Sequence, residues 1–345
     1  MRIPLWSHSI RLVTHGPRGC RSRWVQPSRV GLVPSANPDE KADRILRDVE
    51  ATVVAAGASA AASYAAYRYL NSQAAHARRI IPRRTDSPPN GDGVYYPDGR
   101  GPVPYSREID VDLHLAMYGD STAAGLGVDT AEETPGVQIV RNLVRETGKA
   151  VRYSNKAMVG ATSKGLAAQI HASLITRSRP DVAVILVGGN DVTAVNRIRL
   201  SARRLGDAVQ LLVDAGSKVV VGTCPDLGVV TAIPQPLRWV IRQYSLRLAA
   251  AQRSAVRAHG GRAVPMADVL AKEFLARPEH MFSPDNYHPS AAGYALAASI
   301  LLPEVLDAVG EWGGPLPTPP EVSEAVESRR LINRIRRLLP SPAAH

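Results

Sequence analysis

Val182-Ala183-Val184-Ile185-Leu186-Val187 is an unbroken apolar run, too short to cross a membrane and rich in β-branched residues. Such a run reads as a strand buried on both faces, as found inside a parallel sheet. Further strand-like runs are predicted at 111–118, 150–154, 217–222 and 261–264. Between them, apolar residues recur at helical spacing near 136–147, 164–177, 199–215, 236–259 and 290–309. Alternating strand and helix predicts a five-stranded parallel sheet with helices on both faces, an α/β protein of three layers, α/β/α. Ligands of such sheets sit beyond the carboxyl ends of the strands. The residues that do chemistry are therefore expected in the loops that follow strands.

Outside residues 109–310 the composition changes. Residues 1–46 are rich in Arg, Ser, Pro and Gly and show no sustained period. They read as disordered or as a non-native extension. Residues 47–80 read as an Ala-rich helix. Within it, 51–67 carries no charge, Gly57, Ala61 and Ala65 form a row of small residues, and arginines stand on both sides. Two readings stay open there: a marginal transmembrane or signal-anchor helix, or a soluble Ala-rich helix. Residues 81–108 read as a Pro/Gly linker. Residues 311–345 read as a Pro-rich linker followed by a basic tail. In that tail Leu331, Ile335, Leu338 and Leu339 can share a face against the arginines between Arg329 and Arg337. That pattern suits an interfacial helix or a solvated one.

The net charge of +11 is concentrated in these flanking segments. A basic balance is compatible with nucleic acid, anionic lipid or plain solubility. No zinc-finger cysteine pattern and no aromatic-rich strand suited to base stacking accompanies it, so a nucleic-acid partner is disfavoured. The two cysteines, Cys20 and Cys224, lie in unlike segments, and Cys224 reads as a buried structural residue.

The loops after the predicted strands hold a distinctive set. The first strand runs into Gly119-Asp120-Ser121, the second into Asn155 through Thr162 with Gly160, and the third into Gly188-Gly189-Asn190-Asp191. Ser283-Pro284-Asp285-Asn286-Tyr287-His288-Pro289 precedes the last helix. Singly, each has a plain explanation. Glycines make turns, Asn190 and Asp191 can cap a helix, and His288 can be a solvated loop residue. Together, four such blocks in this order resemble the SGNH (GDSL-type) hydrolases, whose name takes Ser, Gly, Asn and His from four blocks. The resemblance spans about 111–309 and leaves both ends unexplained.

The resemblance implies a flavodoxin-like fold and a serine esterase or lipase that needs neither metal nor organic cofactor. It casts Ser121 as nucleophile, His288 as base and Asp285 as the partner of the imidazole. A serine hydroxyl needs such a base within hydrogen-bond reach, and a carboxylate on the other ring nitrogen fixes the tautomer. The oxyanion would be held by the Ser121 and Gly160 N–H groups and the Asn190 side chain. Many members carry Leu or Ile after the serine, where this chain has Thr122. Asp120 is expected to brace the turn. The substrate would be a small-molecule or lipid ester in a broad, shallow site, with Leu237 and Trp239 as candidate substrate-binding residues. A membrane contact and an extracytoplasmic location follow if residues 51–70 insert, and a cytoplasmic one if they do not.

Two rival classes remain. A metal-dependent phosphoesterase is echoed by Asp112-Leu113-His114, Gly119-Asp120 and Gly189-Asn190-Asp191. The spacing counts against it, because His114 and Asp120 share one strand and Ala123 stands where a second aspartate is needed. A membrane-tethered lipid- or carbohydrate-binding domain would not require Ser121, Asp285 and His288 all intact.

Overall fold

A computed structural model describes residues 38–81, 86–175, 179–316 and 323, with side chains of the first helix described from Ser59 onward. The chain divides into two compact units, Met1–Ser63 and Tyr64–His345. The stretch expected to be disordered at the N-terminus falls mostly outside the described residues, as does the basic tail.

The elements follow in order. Helix α1 (Pro38–Ile80) precedes strands β1 (Gly93–Tyr95) and β2 (Leu113–Gly119). Next come α2 (Ser121–Ala124), α3 (Pro135–Thr147), β3 (Val151–Asn155), α4 (Leu166–Ile175), β4 (Val182–Leu186), α5 (Gly189–Thr193) and α6 (Ile198–Asp214). Then come β5 (Lys218–Gly222), α7 (Leu237–Ala258), β6 (Arg262–Val264), α8 (Met266–Ala276), α9 (Pro278–Met281) and α10 (Ala291–Ala308).

The sheet has six strands in the order β1-β3-β2-β4-β5-β6. The five expected strands are parallel to one another. Their order is that of the flavodoxin-like fold, which reverses direction at β2 and β4 and opens a crevice beyond the strand ends there. The sixth strand, β1, pairs antiparallel with β3 through Gly93↔Tyr153 and Tyr95↔Val151. It comes from the stretch read as a linker. Tyr95 is buried, meets Tyr153 edge to face at 6.4 Å and donates its hydroxyl to Gly91 O at 2.7 Å. Three residues are too few to show a period, so this edge strand is fixed by long-range pairing.

Alternate residues of each strand feed two cores. Leu115 and Met117 of β2, Val182, Val184 and Leu186 of β4 and Val220 of β5 pack with α3, α8 and α10. Ala116, Tyr118, Ala183, Ile185, Val187, Val219 and Val221 pack with α4, α6 and α7. Every residue of β4 is buried, as its apolar run requires. Helix α8 did not figure among the expected helices, although Met266, Leu270 and Phe274 recur at four-residue spacing and are buried together.

The Ala-rich helix begins at Pro38 rather than near 47. A proline followed by Asp39 and Glu40 is a favourable helix start. Its last turns are part of the Tyr64–His345 unit and pack within it. Ala77 is buried, and the Gln73 amide donates to Gln235 O at 2.5 Å and accepts Leu237 N–H at 2.9 Å. Among the described residues one helix, Ala291–Ala308, is long and apolar enough to cross a membrane. It is α10, whose Leu301 and Val305 are fully buried against the sheet.

Candidate active site

The turn after β2 is built by close approach. Gly119 lies at φ +138°, and a Cβ there would fall 1.8 Å from Leu186 O. With no side chain in the way, Asp120 N–H reaches Leu186 O at 3.0 Å. A buried amide holds the other side: Gln169 accepts Gly119 N–H at 2.9 Å and donates to Gly119 O at 2.8 Å. Asp120 then caps α2 by accepting Thr122 N–H at 3.0 Å, and it also accepts Gly188 N–H at 3.3 Å from the loop after β4. It braces the turn as expected from its position. Burial pushes its carboxyl up to about 6, against the pull of those N–H groups. Ser121 opens α2 and is itself buried.

The second half of the site comes from the loop before α10. Ser283 N–H donates to His288 O at 2.8 Å, closing the loop, and Asn286 takes a left-handed turn at φ +56°. That fold wraps three donors around Asp285 Oδ1: Ser283 Oγ, Tyr287 N–H and His288 N–H, each at 2.8 Å. Asp285 Oδ2 lies 2.7 Å from His288 Nδ1, and His288 Nε2 lies 3.0 Å from Ser121 Oγ. Burial alone would raise the Asp285 carboxyl, but the bonds from the His288 ring and N–H and from Tyr287 N–H outweigh it. They hold the carboxyl well below the usual carboxylate range. An ionised carboxylate only accepts, so Nδ1 carries the ring proton and Nε2 offers its lone pair to Ser121 Oγ–H. The Tyr287 ring stands edge-on to the imidazole at 5.1 Å.

The other predicted residues are placed as follows. Asn190 lines the same cavity as Ser121 and His288, and its amide donates to Ala161 O at 3.0 Å. Gly160 sits at φ +80° in an exposed turn closed by Ala161 N–H on Met158 O at 3.0 Å. It is the third residue of that turn, where a type II geometry demands glycine, and it is not in the cavity wall. Met158 N–H bonds Gly119 O at 3.1 Å, which ties this turn to the end of β2. Leu237 and Trp239 open α7 outside the cavity wall. Leu237 is half-buried against the larger core, and Trp239 is 55% exposed. The phosphoesterase set is not assembled. His114 lies at the start of β2, away from Asp120 at its end, and its ring is held by Arg179 O and Ser154 Oγ.

Sequence reasoning passed over two features. Asp191, read as a capping residue or as part of the phosphoesterase echo, is fully buried and accepts four bonds. They come from Ser163 N–H and Oγ at 2.8 Å each, Asn196 Nδ2 at 3.1 Å and Ser201 Oγ at 2.7 Å. It thereby ties the loop after β3 to the one after β4. The second is the cavity itself, about 100 Å³, whose apolar wall comes from the segment after β5 and from α8 and α10. The four-residue spacing of Met266, Leu270 and Phe274 was the signal available for it.

Residues 117–296 match the GDSL-like lipase/acylhydrolase family. A GDSL-like esterase of Mycobacterium tuberculosis is 52% identical over 262 residues, which are 76% of this chain and 83% of that one. The chain belongs to the GDSL-like lipase/acylhydrolase family. As a member it is a hydrolase acting on ester bonds, and the phosphoesterase reading is not favoured. Solved structures with likeness include TesA, at 22% identity, covering 57% of this chain and 98% of that one, with a TM-score of 0.44. A lipase/acylhydrolase from Enterococcus faecalis is 20% identical, covers 56% of this chain and 95% of that one, and has a TM-score of 0.43.

Proposed function

We propose that the protein hydrolyses carboxylic esters by double displacement, with Ser121 as nucleophile, His288 as general base then acid, and Asp285 orienting the imidazole. The observation that carries this reading is the run of bonds from Asp285 Oδ2 through the ring to Ser121 Oγ, at 2.7 and 3.0 Å. Ser121 Oγ attacks the ester carbonyl carbon while its proton passes to His288 Nε2. The tetrahedral oxyanion is held by the N–H groups of Ser121 and Gly160 and the Asn190 amide. Each such donor contributes on the order of 3 kcal/mol. The alcohol departs with the proton from Nε2 and leaves an acyl-Ser121 ester. Water then attacks, returns a proton to Nε2, and the acid leaves as Ser121 recovers its hydrogen. The substrate is a small-molecule or lipid ester. The supporting test is Ser121→Ala, which should abolish both turnover of p-nitrophenyl acetate and labelling by a fluorophosphonate. Labelling that persists in this variant removes Ser121 from the role.

The site is proposed to act outside the cytoplasm, anchored through residues 51–70. The support is the uncharged stretch 51–67 together with the exposure of the described side chains from Ser59 through Tyr69. Fractionation of cells expressing the full chain should put the esterase activity with membranes or outside the cell. Activity confined to the cytosolic fraction refutes the anchor.

A further inference from the structure

The cavity that Ser121, Asn190 and His288 share is not a surface groove. Its remaining wall is formed by Val229 and Val230 after β5, by Met266, Leu270 and Phe274 of α8, and by Ala297 of α10. All six of these side chains are less than a tenth exposed and belong to the larger core. The void therefore runs from the reacting hydroxyl into the interior, between the sheet and the α8/α10 layer. Phe274 stacks edge to face on Phe282, also in the wall, with centroids 5.0 Å apart. This pair gives that part of the wall a rigid aromatic boundary. The polar groups of the lining are few and mostly engaged. Asp226 accepts Gly228 N–H at 2.8 Å and pairs with Arg242 at 2.9 Å, and Thr223 Oγ1 donates to Val264 O at 3.2 Å. An apolar void with its polar groups already bonded offers water little and a hydrocarbon much.

Resting on the reading of the site as an ester hydrolase, we propose that this internal void is the acyl pocket and that Phe274 and Ala297 set the length of chain it takes. The acyl chain of the substrate enters the core side, and the alcohol is left toward solvent. At a liquid-like share of about 30 Å³ per group, a volume of about 100 Å³ holds about three or four water- or methylene-sized groups. The preferred ester is thus a short-chain one, with an acyl group of about four carbons. Long-chain lipids do not fit. The face bearing Trp239, which lies outside the wall, takes no part in the choice of acyl chain.

Acetyl, butyryl, hexanoyl, octanoyl, decanoyl and palmitoyl esters of p-nitrophenol, assayed with the full-length protein, test this. Each methylene that enters the pocket should raise kcat/KM about four-fold, up to the butyryl ester, with no further gain beyond hexanoyl and a fall for palmitoyl. Ala297→Leu should lower the butyryl-to-acetyl ratio of kcat/KM at least about ten-fold, because the added side chain occupies the space of two or three methylenes. Phe274→Ala should move the optimum to longer chains. The ratio is internal to one sample and does not depend on the fraction folded. If Ala297→Leu yields no folded protein, Ala271→Leu on the same wall gives the same reading. Ratios within about two-fold of wild type in these variants overturn the pocket, and so does a shift that appears with Trp239→Ala instead. Failure of the wild type to turn over any of the esters or to react with a fluorophosphonate is a different result. It removes the hydrolase reading of the site and the pocket with it.

Discussion

Replacing Asp191 by asparagine should separate what the buried carboxylate does for the fold from what it does for the reaction. The carboxylate has no exposed surface and accepts four bonds from Ser163, Asn196 and Ser201. Of the two amide orientations, the better keeps oxygen on Ser163 N–H and turns the NH2 group to the hydroxyls of Ser163 and Ser201, which can rotate to accept. Asn196 Nδ2 is then left facing another donor. One lost bond and the weakening of three charge-assisted ones would sum to about 4 kcal/mol. Relief from burying a charge offsets part of that, leaving a net loss of about 2–3 kcal/mol. Asp191→Ala leaves all four donors unmet and should cost about 5 kcal/mol or prevent folding. Urea unfolding reads the stability. Steady-state hydrolysis of a short ester reads the chemistry. Because Asp191 adjoins Asn190 and grips the loop that carries Gly160, kcat should fall about ten-fold or more with KM little changed, the mark of lost transition-state support. A variant with stability within about 0.5 kcal/mol of wild type and unaltered kcat would refute the reasoning.

Gly119→Ala should cost more than about 4 kcal/mol in urea unfolding, or give no folded protein, because its Cβ would sit 1.8 Å from Leu186 O at a φ of +138°. Gly148→Ala, also at positive φ but with no atom within 4 Å, should cost only about 1 kcal/mol, and equal losses at both positions would contradict the close-approach argument. Burial lowers the His114 imidazole from the usual 6.5 to about 4. The unfolded ring takes up its proton first as pH falls, so this residue's contribution is present above 6.5 and is lost toward 4, by up to about 3 kcal/mol. His114→Asn should therefore flatten the acid limb of stability measured against pH, and an unchanged limb would show that the ring is not responsible.

The parallel sheet was legible because its signal is local. The six apolar residues of Val182–Val187 admit little but a buried strand, and the four catalytic-looking blocks each follow a strand or precede a helix. What escaped depends on pairing across the chain. Residues Gly93–Tyr95 become a strand only because Val151–Tyr153 offers them an edge. Asp191 looked like a helix cap because its partners Ser163 and Ser201 stand far from it in sequence. The pocket was missed for a related reason. Val229, Phe274 and Ala297 each read as ordinary core residues, and only their convergence leaves a void. Leu237 and Trp239 were singled out for apolar character beside a strand end, but that end of α7 is occupied by the Gln73 amide and does not border the cavity.

Three glutamines in this molecule do what a neighbouring strand would otherwise do. Gln169 takes both backbone groups of Gly119, Gln252 accepts Cys224 N–H at 2.7 Å and donates to Val187 O at 3.0 Å, and Gln73 spans Gln235 and Leu237. Each side-chain amide behaves as a loose peptide unit, one donor and one acceptor, set where the sheet or a loop runs out of partners. None of the three can gain or lose a proton in the working range. These three joints are thus deaf to acidity, whereas the Asp120 carboxyl that braces the same turn, raised by burial to about 6, is not. As pH falls through that value the Asp120 carboxylate gains a proton and its hold on the Thr122 and Gly188 N–H groups weakens, while the glutamine stitches beneath it stay unchanged.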